Sequence, residues 1–132
     1  MSRFVLVGDL VQQGFDWGEI SWRSIPSITG SQRLGMNAVR LEPGCGHDFH
    51  RHPDQEVMIV VQTGQIEQWI ERERQVLAPG DSVYIDSDVV HASFNTGDGP
   101  ALLQVVLTPA VGELGYELVD VSGEEPWASL RS

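Results

Sequence analysis

The chain has 132 residues and a net charge of −11, from 19 acidic residues against eight basic residues, all of which are arginine. This length suits one domain with a hydrophobic core, and the charge excludes both a basic nucleic-acid-binding surface and a basic amphipathic membrane helix. The lack of lysine excludes Schiff-base chemistry on a lysine side chain. The single cysteine, Cys45, cannot form an intramolecular disulfide, which is typical of a reducing compartment.

The first residues contain only four consecutive apolar side chains, Phe4 to Val7. A signal-peptide core or a membrane span needs a longer apolar run. We therefore expect a cytoplasmic protein that has neither a membrane nor a nucleic acid as its partner.

Short β-like runs separated by Gly, Pro, Asn and Asp dominate the chain, and no convincing amphipathic helix interrupts them. This pattern favours an all-β sandwich or barrel. Leu10 to Gly14 is interpreted as a short helical turn, and the tail after Ser122 as loosely docked. In chain order, extended segments are predicted at Phe4 to Val7, Trp17 to Ile25, Met36 to Leu41, Glu56 to Val61, Gln65 to Arg74 as a hairpin, Ser82 to Ile85, Val89 to Phe94, Ala101 to Leu107 and Tyr116 to Val121.

These segments give a single domain over 1–132. Residues 1–35 form an N-terminal arm with strands, residues 36–108 the core, and residues 109–132 a C-terminal strand and tail.

Three of the four histidines lie close together in one short stretch. His50 and His52 are two apart, so on a strand both imidazoles point to the same face, about 7 Å apart along the chain. A straight strand would carry Glu56 roughly 13 Å further, too far for metal–ligand bonds of about 2 Å. The intervening Pro-Asp pair favours a turn that returns Glu56 to the same centre. The pattern predicts His50, His52 and Glu56 as metal ligands, with His91 as the fourth.

This spacing resembles the first motif of the cupin family: Gly, five residues, His-x-His, three or four residues, Glu, six residues and Gly. Gly44, His50, His52 and Glu56 fit the motif. Gly64 follows Glu56 after seven residues, so the segment is one residue longer than is usual.

The family's second motif is Gly, five residues, Pro-x-Gly, two residues, His, three residues and Asn. Gly80, His91 and Asn95 fit it, while Asp86 and Asp88 replace the usual Pro and Gly. These two replacements change the turn before His91 and leave the spacing intact.

The resemblance implies an antiparallel double-stranded β-sandwich or jelly-roll barrel in which His50, His52, Glu56 and His91 bind one divalent metal. Mn, Fe, Ni, Zn and Cu all accept three imidazoles and a carboxylate, and the two open positions of an octahedral metal favour Mn or Fe. We expect a metal-dependent oxidoreductase of the dioxygenase kind, acting on a small oxygenated molecule. The alternatives are a non-redox isomerase or lyase, and a non-catalytic module that binds a metal and a small ligand.

Several side chains are candidates for contact with the small molecule. Arg40 and Gln104 are polar residues on otherwise apolar strands, and each could face the interior. Arg40 would then bind a substrate carboxylate or pair with a nearby glutamate. The other candidates are Met36, which could face inward, and the aromatic residues Trp69 and Phe94, whose alternative is a place in the core or at a subunit interface.

Strand alternation also gives an expectation for assembly. Met58 and Val60 share the parity of Glu56 and are expected inside, which leaves Val57, Ile59 and Val61 as an outward apolar face. Because small cupins commonly pair, we expect a homodimer through this face, or through an exchanged arm at Trp17 to Ile25.

The remaining reactive residues have less specific signals. His47 is interpreted as a solvated loop histidine, with a role as metal ligand as the alternative, and Cys45 as a residue with no functional role, with a redox role as the alternative. Tyr84 is the one tyrosine close to the motifs, and nothing in the sequence places it at the metal.

Overall fold

The computed structural model describes residues 1–131 and consists mainly of antiparallel β-strands. The strands are β1 Val11–Phe15, β2 Gly18–Ser24, β3 Gly35–Leu41, β4 Gly46–Arg51, β5 Glu56–Thr63, β6 Ile66–Ile70, β7 Glu73–Leu77, β8 Ser82–Ile85, β9 His91–Asn95, β10 Ala101–Thr108 and β11 Val119–Asp120. One short helix, α1 Pro26–Thr29, and 3-10 turns at Val7–Asp9 and Trp127–Ser129 complete the fold.

Two sheets pack face to face. The six-stranded sheet has the order β1-β2-β3-β10-β5-β8, and the five-stranded sheet has the order β11-β4-β9-β6-β7. Every strand pair is antiparallel. The predicted antiparallel β-sandwich is therefore confirmed.

The main core lies between the sheets, because alternate residues of the six-stranded sheet point inward. β2, β3, β5 and β10 each alternate between more and less buried positions. Trp22, Leu41, Val61 and Leu103 are among its fully enclosed side chains.

A second cluster covers the outer face of the five-stranded sheet. Phe49, Trp69 and Phe94 form it, and Trp127 from the C-terminal tail packs against it. The tail is held more firmly than predicted: Arg131 pairs with Glu67 at 2.7 Å and its guanidinium lies 3.6 Å over the Phe94 ring. These apolar and ionic contacts fix the segment that was interpreted as loosely docked.

Two predictions near the N-terminus are wrong. Phe4 to Val7 forms no strand, because the chain turns at Val7–Asp9, where the Asp9 N–H donates to the Leu6 carbonyl, and Phe4 is 93% exposed. Val11–Phe15 is the edge strand β1 rather than a helical turn, since it pairs with β2 along its whole length. Here hairpin pairing with the next strand overrides a weak local preference. Among the described residues, no helix combines the length and apolar composition needed to cross a bilayer.

Candidate metal centre

Three buried histidines meet between the sheets. His50 lies on β4 opposite His91 at the start of β9, and His52 follows the end of β4. The ring centroids are 4.2 Å apart for His50 and His91, 5.1 Å for His50 and His52, and 5.3 Å for His52 and His91. One nitrogen from each ring lies within 4.8 Å of the other two, which is the spacing that a shared metal ion requires.

Backbone carbonyls fix the orientation of all three rings. Nδ1 of His50 lies 2.6 Å from the Asp48 oxygen, Nδ1 of His52 lies 2.7 Å from the Glu117 oxygen, and Nδ1 of His91 lies 3.0 Å from the Val89 oxygen. A carbonyl oxygen can only accept, so each Nδ1 carries the hydrogen and each Nε2 keeps its lone pair. This is the usual support of metal-binding histidines, and the donor set therefore fits a divalent transition metal.

Burial keeps these imidazoles neutral. It lowers the pKa of His91 to about 3, and with the nearby histidines it lowers the pKa of His50 well below 6.5. The pKa of His52 is lowered by the same desolvation, although its bond to Glu117 opposes the shift. Neutral imidazoles are metal ligands at pH 7, whereas imidazolium ions are not.

The metal-free protein is expected to lose stability as the pH falls below about 6.5. Its unfolded chain then binds protons near the ordinary histidine pKa of about 6.5, whereas burial lowers the pKa of His91 to about 3 and that of His47 to about 4 in the folded protein. Each histidine that stays neutral in the fold costs about 1.4 kcal/mol per pH unit in this window. Urea unfolding at pH 7.5, 6.0 and 5.0 measures the effect, and a midpoint that stays constant or rises on acidification would contradict it.

The second motif positions His91 through an unusual turn. Asp88 adopts φ 66°, a left-handed conformation that aspartate tolerates better than most residues and that explains why glycine is usual there. The backbone N–H of Asp88 donates to the His52 carbonyl, and its carboxylate pairs with Arg51 at 2.5 Å. The turn thus ties the two motifs together beside the site.

Glu56 does not join the three imidazoles. It lies on the exposed face of β5, where the Tyr84 hydroxyl donates to its Oε1 over 2.5 Å. This contact raises the pKa of Tyr84 to about 12. The inward position at this level of the strand belongs to Val57, which is separated from Gly64 by six residues and is buried. The extra residue before Gly64 turns the glutamate outward, because a shift of one residue on a strand exchanges its two faces.

The five candidate substrate contacts also lie away from the histidines. Arg40 is on the surface and pairs with Glu42 at 3.0 Å, and Gln104 donates to Gln62 at 2.6 Å. Met36 shares the outward row of Arg40. Trp69 and Phe94 pack on the outer face of the five-stranded sheet. The prediction assigned the wrong face of β3 and β10 to the interior. Arg40 and Gln104 therefore lie on the solvent-exposed face instead of facing the cavity.

The site opens into a cavity of about 60 Å³ between the sheets. Inward apolar side chains of the six-stranded sheet form one wall, and the three histidines with Ser93 form the opposite wall. Asn37 and Tyr116 add polar groups that the sequence analysis missed. The alternation of β3 could have identified Asn37, but only once the inward face of the sheet was known.

His47 is an aromatic member of the site rather than a solvated loop residue. It lies on β4, stacks on His50 with ring centroids 3.8 Å apart, and stacks on Trp17 at 5.0 Å. Phe15 continues the stack on Trp17 at 4.8 Å. Burial lowers the pKa of His47 to about 4, so this ring is neutral as well. An outer cleft lined by these aromatic rings adjoins the cavity.

The segment 109–118 closes another side of the site. Gln55, which is 1% exposed, donates to the carbonyls of Pro109 and Gly115 and accepts from the backbone N–H of Glu117. The same segment supplies the carbonyl that orients His52 and the Tyr116 ring, which stacks on Trp22 at 5.2 Å. Gln55 therefore links the first motif to the wall of the cavity.

Comparison with known proteins adds the family. A model of the cupin domain matches residues 37–107, more than half of the chain, whereas no curated protein matches. A solved structure of KdgF from a Halomonas species shares 16% identity, with 86% of this chain and 99% of that chain covered and a TM-score of 0.72. An RmlC-like cupin from Shewanella frigidimarina shares 16% identity over 83% of this chain and 93% of that chain, with a TM-score of 0.71.

A larger protein contains a similar unit. The chain shares 18% identity with a Lactobacillus farciminis oxalate decarboxylase solved as a formate complex, with a TM-score of 0.75. The match covers 88% of this chain and 35% of that chain. At these identities the structural likeness shows the fold, and together with the match over residues 37–107 it leads to one conclusion: the chain belongs to the cupin family.

Proposed function

We propose that this cupin binds one divalent transition metal through His50, His52 and His91 and acts on a small oxygenated molecule that enters the cavity. The observation that carries the proposal is the convergence of three neutral imidazoles whose Nδ1 atoms are all committed to backbone carbonyls. When bound, the metal would supply Lewis-acid or redox chemistry. The chain itself orients the rings, excludes bulk water and shapes the apolar cavity.

The donor set narrows the choice of metal. The expectation of Mn or Fe rested on four protein ligands that leave two open positions, but the fourth of them, Glu56, pairs with Tyr84 on the outer face. Imidazole suits Fe, Ni, Cu and Zn, whereas Mn prefers carboxylate oxygen. We therefore propose Fe as the redox-capable metal, with Zn, Ni or Cu as the alternatives and Mn as the least favoured.

The proposed reaction class is oxidoreduction of the dioxygenase kind. The alternative is a non-redox lyase or isomerase, which the oxalate decarboxylase among the similar structures favours, or a non-catalytic binding module. Oxygen uptake by the iron-loaded protein, measured across small catechols, diketones and hydroxy acids, separates these cases. Turnover with oxygen consumption supports the proposal, substrate conversion without oxygen supports the lyase or isomerase, and binding without conversion supports the module.

A cytoplasmic homodimer remains our proposal for the assembled protein. The predicted outward face of β5 is in fact the inward one, because Val57, Ile59 and Val61 are core residues. Met58 and Val60, 39% and 37% exposed, lie on the outer face of the six-stranded sheet instead. The arm at Trp17 to Ile25 pairs within its own sheet as β2, so we propose the outer sheet face as the interface.

Sedimentation of the wild-type protein and Met58→Asp tests this interface. We expect a dimer at micromolar concentration for the wild-type chain and a monomer for the variant, because a buried unpaired carboxylate is costly. An unchanged dimer in Met58→Asp would exclude this face, and a wild-type monomer would exclude the homodimer.

A further inference from the structure

Asn37 is a buried polar residue without an evident structural role. It lies on the inward face of β3, is 3% exposed and lines the cavity. Its Oδ1 has no hydrogen-bond partner among the described residues. Because buried polar atoms are almost always paired, an orphan oxygen that borders a cavity indicates that the partner comes with a ligand.

A second buried asparagine shows what a structural role looks like in this fold. Asn95, 2% exposed, donates to the carbonyls of Leu41 and Gly99 and accepts from the backbone N–H of Gly97. Each of these bonds fixes a loop or a strand end. Asn37 makes no such bond through its Oδ1, although it is buried to the same extent.

The position of Asn37 relative to the histidines determines where a ligand would need its polar groups. It belongs to the six-stranded sheet, whereas His50 and His91 belong to the five-stranded sheet on the other side of the cavity. The wall around Asn37 is apolar, with Val39 and Val105 as lining neighbours. A ligand that reaches both the histidine centre and Asn37 therefore has two polar ends separated by an apolar body.

The lack of cationic side chains in the cavity limits the charge that the ligand can carry at the end remote from the metal. Among the described residues that line it there is no arginine, and the whole chain has no lysine. An anionic group remote from the metal would be buried without a counter-ion, which is strongly unfavourable. Ser93, the other small polar residue of the lining, already donates its hydroxyl hydrogen to Gln68 at 2.6 Å. The buried atom of the lining that lacks a partner among the described residues is Asn37 Oδ1, which is an acceptor.

We infer that Asn37 is the specificity-determining contact of the cavity, and that the ligand is a small neutral molecule with a metal-binding oxygen at one end and a hydroxyl donor at the other. The inference rests on the proposed metal site and adds the substrate class. The cavity of about 60 Å³ limits the enclosed part to a handful of heavy atoms, at about 10–15 Å³ for each water-sized group.

Three matched hydroxamic acids test the distal contact, because the hydroxamate binds the metal equally in each. The probes are 3-hydroxypropanohydroxamic acid, butanohydroxamic acid with a methyl group in place of the hydroxyl, and the monohydroxamate of malonic acid, in which a carboxylate replaces the terminal CH2OH group. Calorimetry with the metal-loaded wild-type protein should show about 5–150-fold tighter binding of the hydroxyl probe than of the methyl probe, and weakest binding of the carboxylate probe. Asn37→Leu should remove the preference for the hydroxyl while it retains the metal.

Thermal unfolding provides a readout that needs neither metal nor ligand. Asn37→Leu should raise Tm, because it removes an unpaired buried oxygen, whereas Asn95→Leu should lower Tm, because it orphans three backbone groups. A fall in Tm for both variants would make Asn37 structural and overturn the inference. Equal binding of the hydroxyl and methyl probes by metal-loaded wild-type protein would also overturn it, whereas a wild-type protein that takes up no metal would contradict the proposed function instead.

Discussion

Replacing Gln55 with leucine is expected to destabilise the protein by about 3–5 kcal/mol, because three backbone groups lose their partner at once. The Gln55 amide nitrogen donates to Pro109 and Gly115 at 2.8 and 2.9 Å, and its oxygen accepts from Glu117 at 3.0 Å. Leucine has a similar size but leaves these three backbone groups without partners. Urea or thermal unfolding of the metal-free protein measures the loss.

The same substitution should weaken metal binding by about 10–100-fold, as changes to groups that orient ligands usually do. Glu117, which Gln55 holds through its N–H, supplies the carbonyl that orients His52. Gln104→Leu is the matched control, because its bond to Gln62 is on the surface and its loss should cost less than about 0.5 kcal/mol. If both glutamine variants are as stable as the wild type, Gln55 does not hold the segment 109–118.

Substitution of the metal ligands is the second large effect. His52→Ala and His91→Ala should each weaken metal binding by more than about 100-fold, beyond the range that supporting residues produce. Each removes one of the three imidazoles whose nitrogens converge among the described residues. Elemental analysis after dialysis against a weak chelator gives the metal content of each variant.

Glu56→Gln is the control that separates a three-ligand site from a four-ligand site. Its side chain contacts Tyr84 on the exposed face of β5, so the variant should keep the wild-type metal content. Metal loss in Glu56→Gln comparable to that in His52→Ala would restore the glutamate to the ligand set. Full metal retention in both histidine variants would show that the metal does not bind at the three histidines.

Much of the fold was accessible from the sequence, because the strongest signals are local. Turn residues separated most of the strands, and the spacing of His50, His52 and His91 indicated three imidazoles that the structure does bring together. The absence of convincing amphipathic helical patterns matched the observed sandwich. These features depend on residues close in sequence or on motif spacing, both of which can be counted directly.

Which face of the six-stranded sheet points toward the core could not be predicted from local signals. The motif predicts that Glu56 faces inward, and residues directly opposite one another across a sheet share a face. Met58 lies opposite Val106, and Val106 lies opposite Met36, so one wrong assignment carried over to the neighbouring strands. The seven-residue interval before Gly64 was the available signal that the glutamate had turned outward.

Contacts between distant segments were beyond the reach of local patterns. Gln55 binds residues more than 50 positions away, and Tyr116 reaches the cavity from a segment after the last long strand. Nothing in the neighbouring sequence distinguishes Asn37 from an ordinary strand asparagine. Its significance comes from burial beside the cavity and from the missing partner of its Oδ1.

X-ray absorption spectroscopy at the edge of the metal that accompanies the purified protein tests the central claim most directly. We predict a first shell that contains three imidazole nitrogens, at about 2.0–2.1 Å if the metal is zinc, with oxygen from solvent in the remaining positions. Three imidazoles and no loss of signal in Glu56→Gln would agree with the arrangement of His50, His52 and His91. A shell with fewer than three imidazoles, or a protein that takes up no metal after reloading, would contradict it.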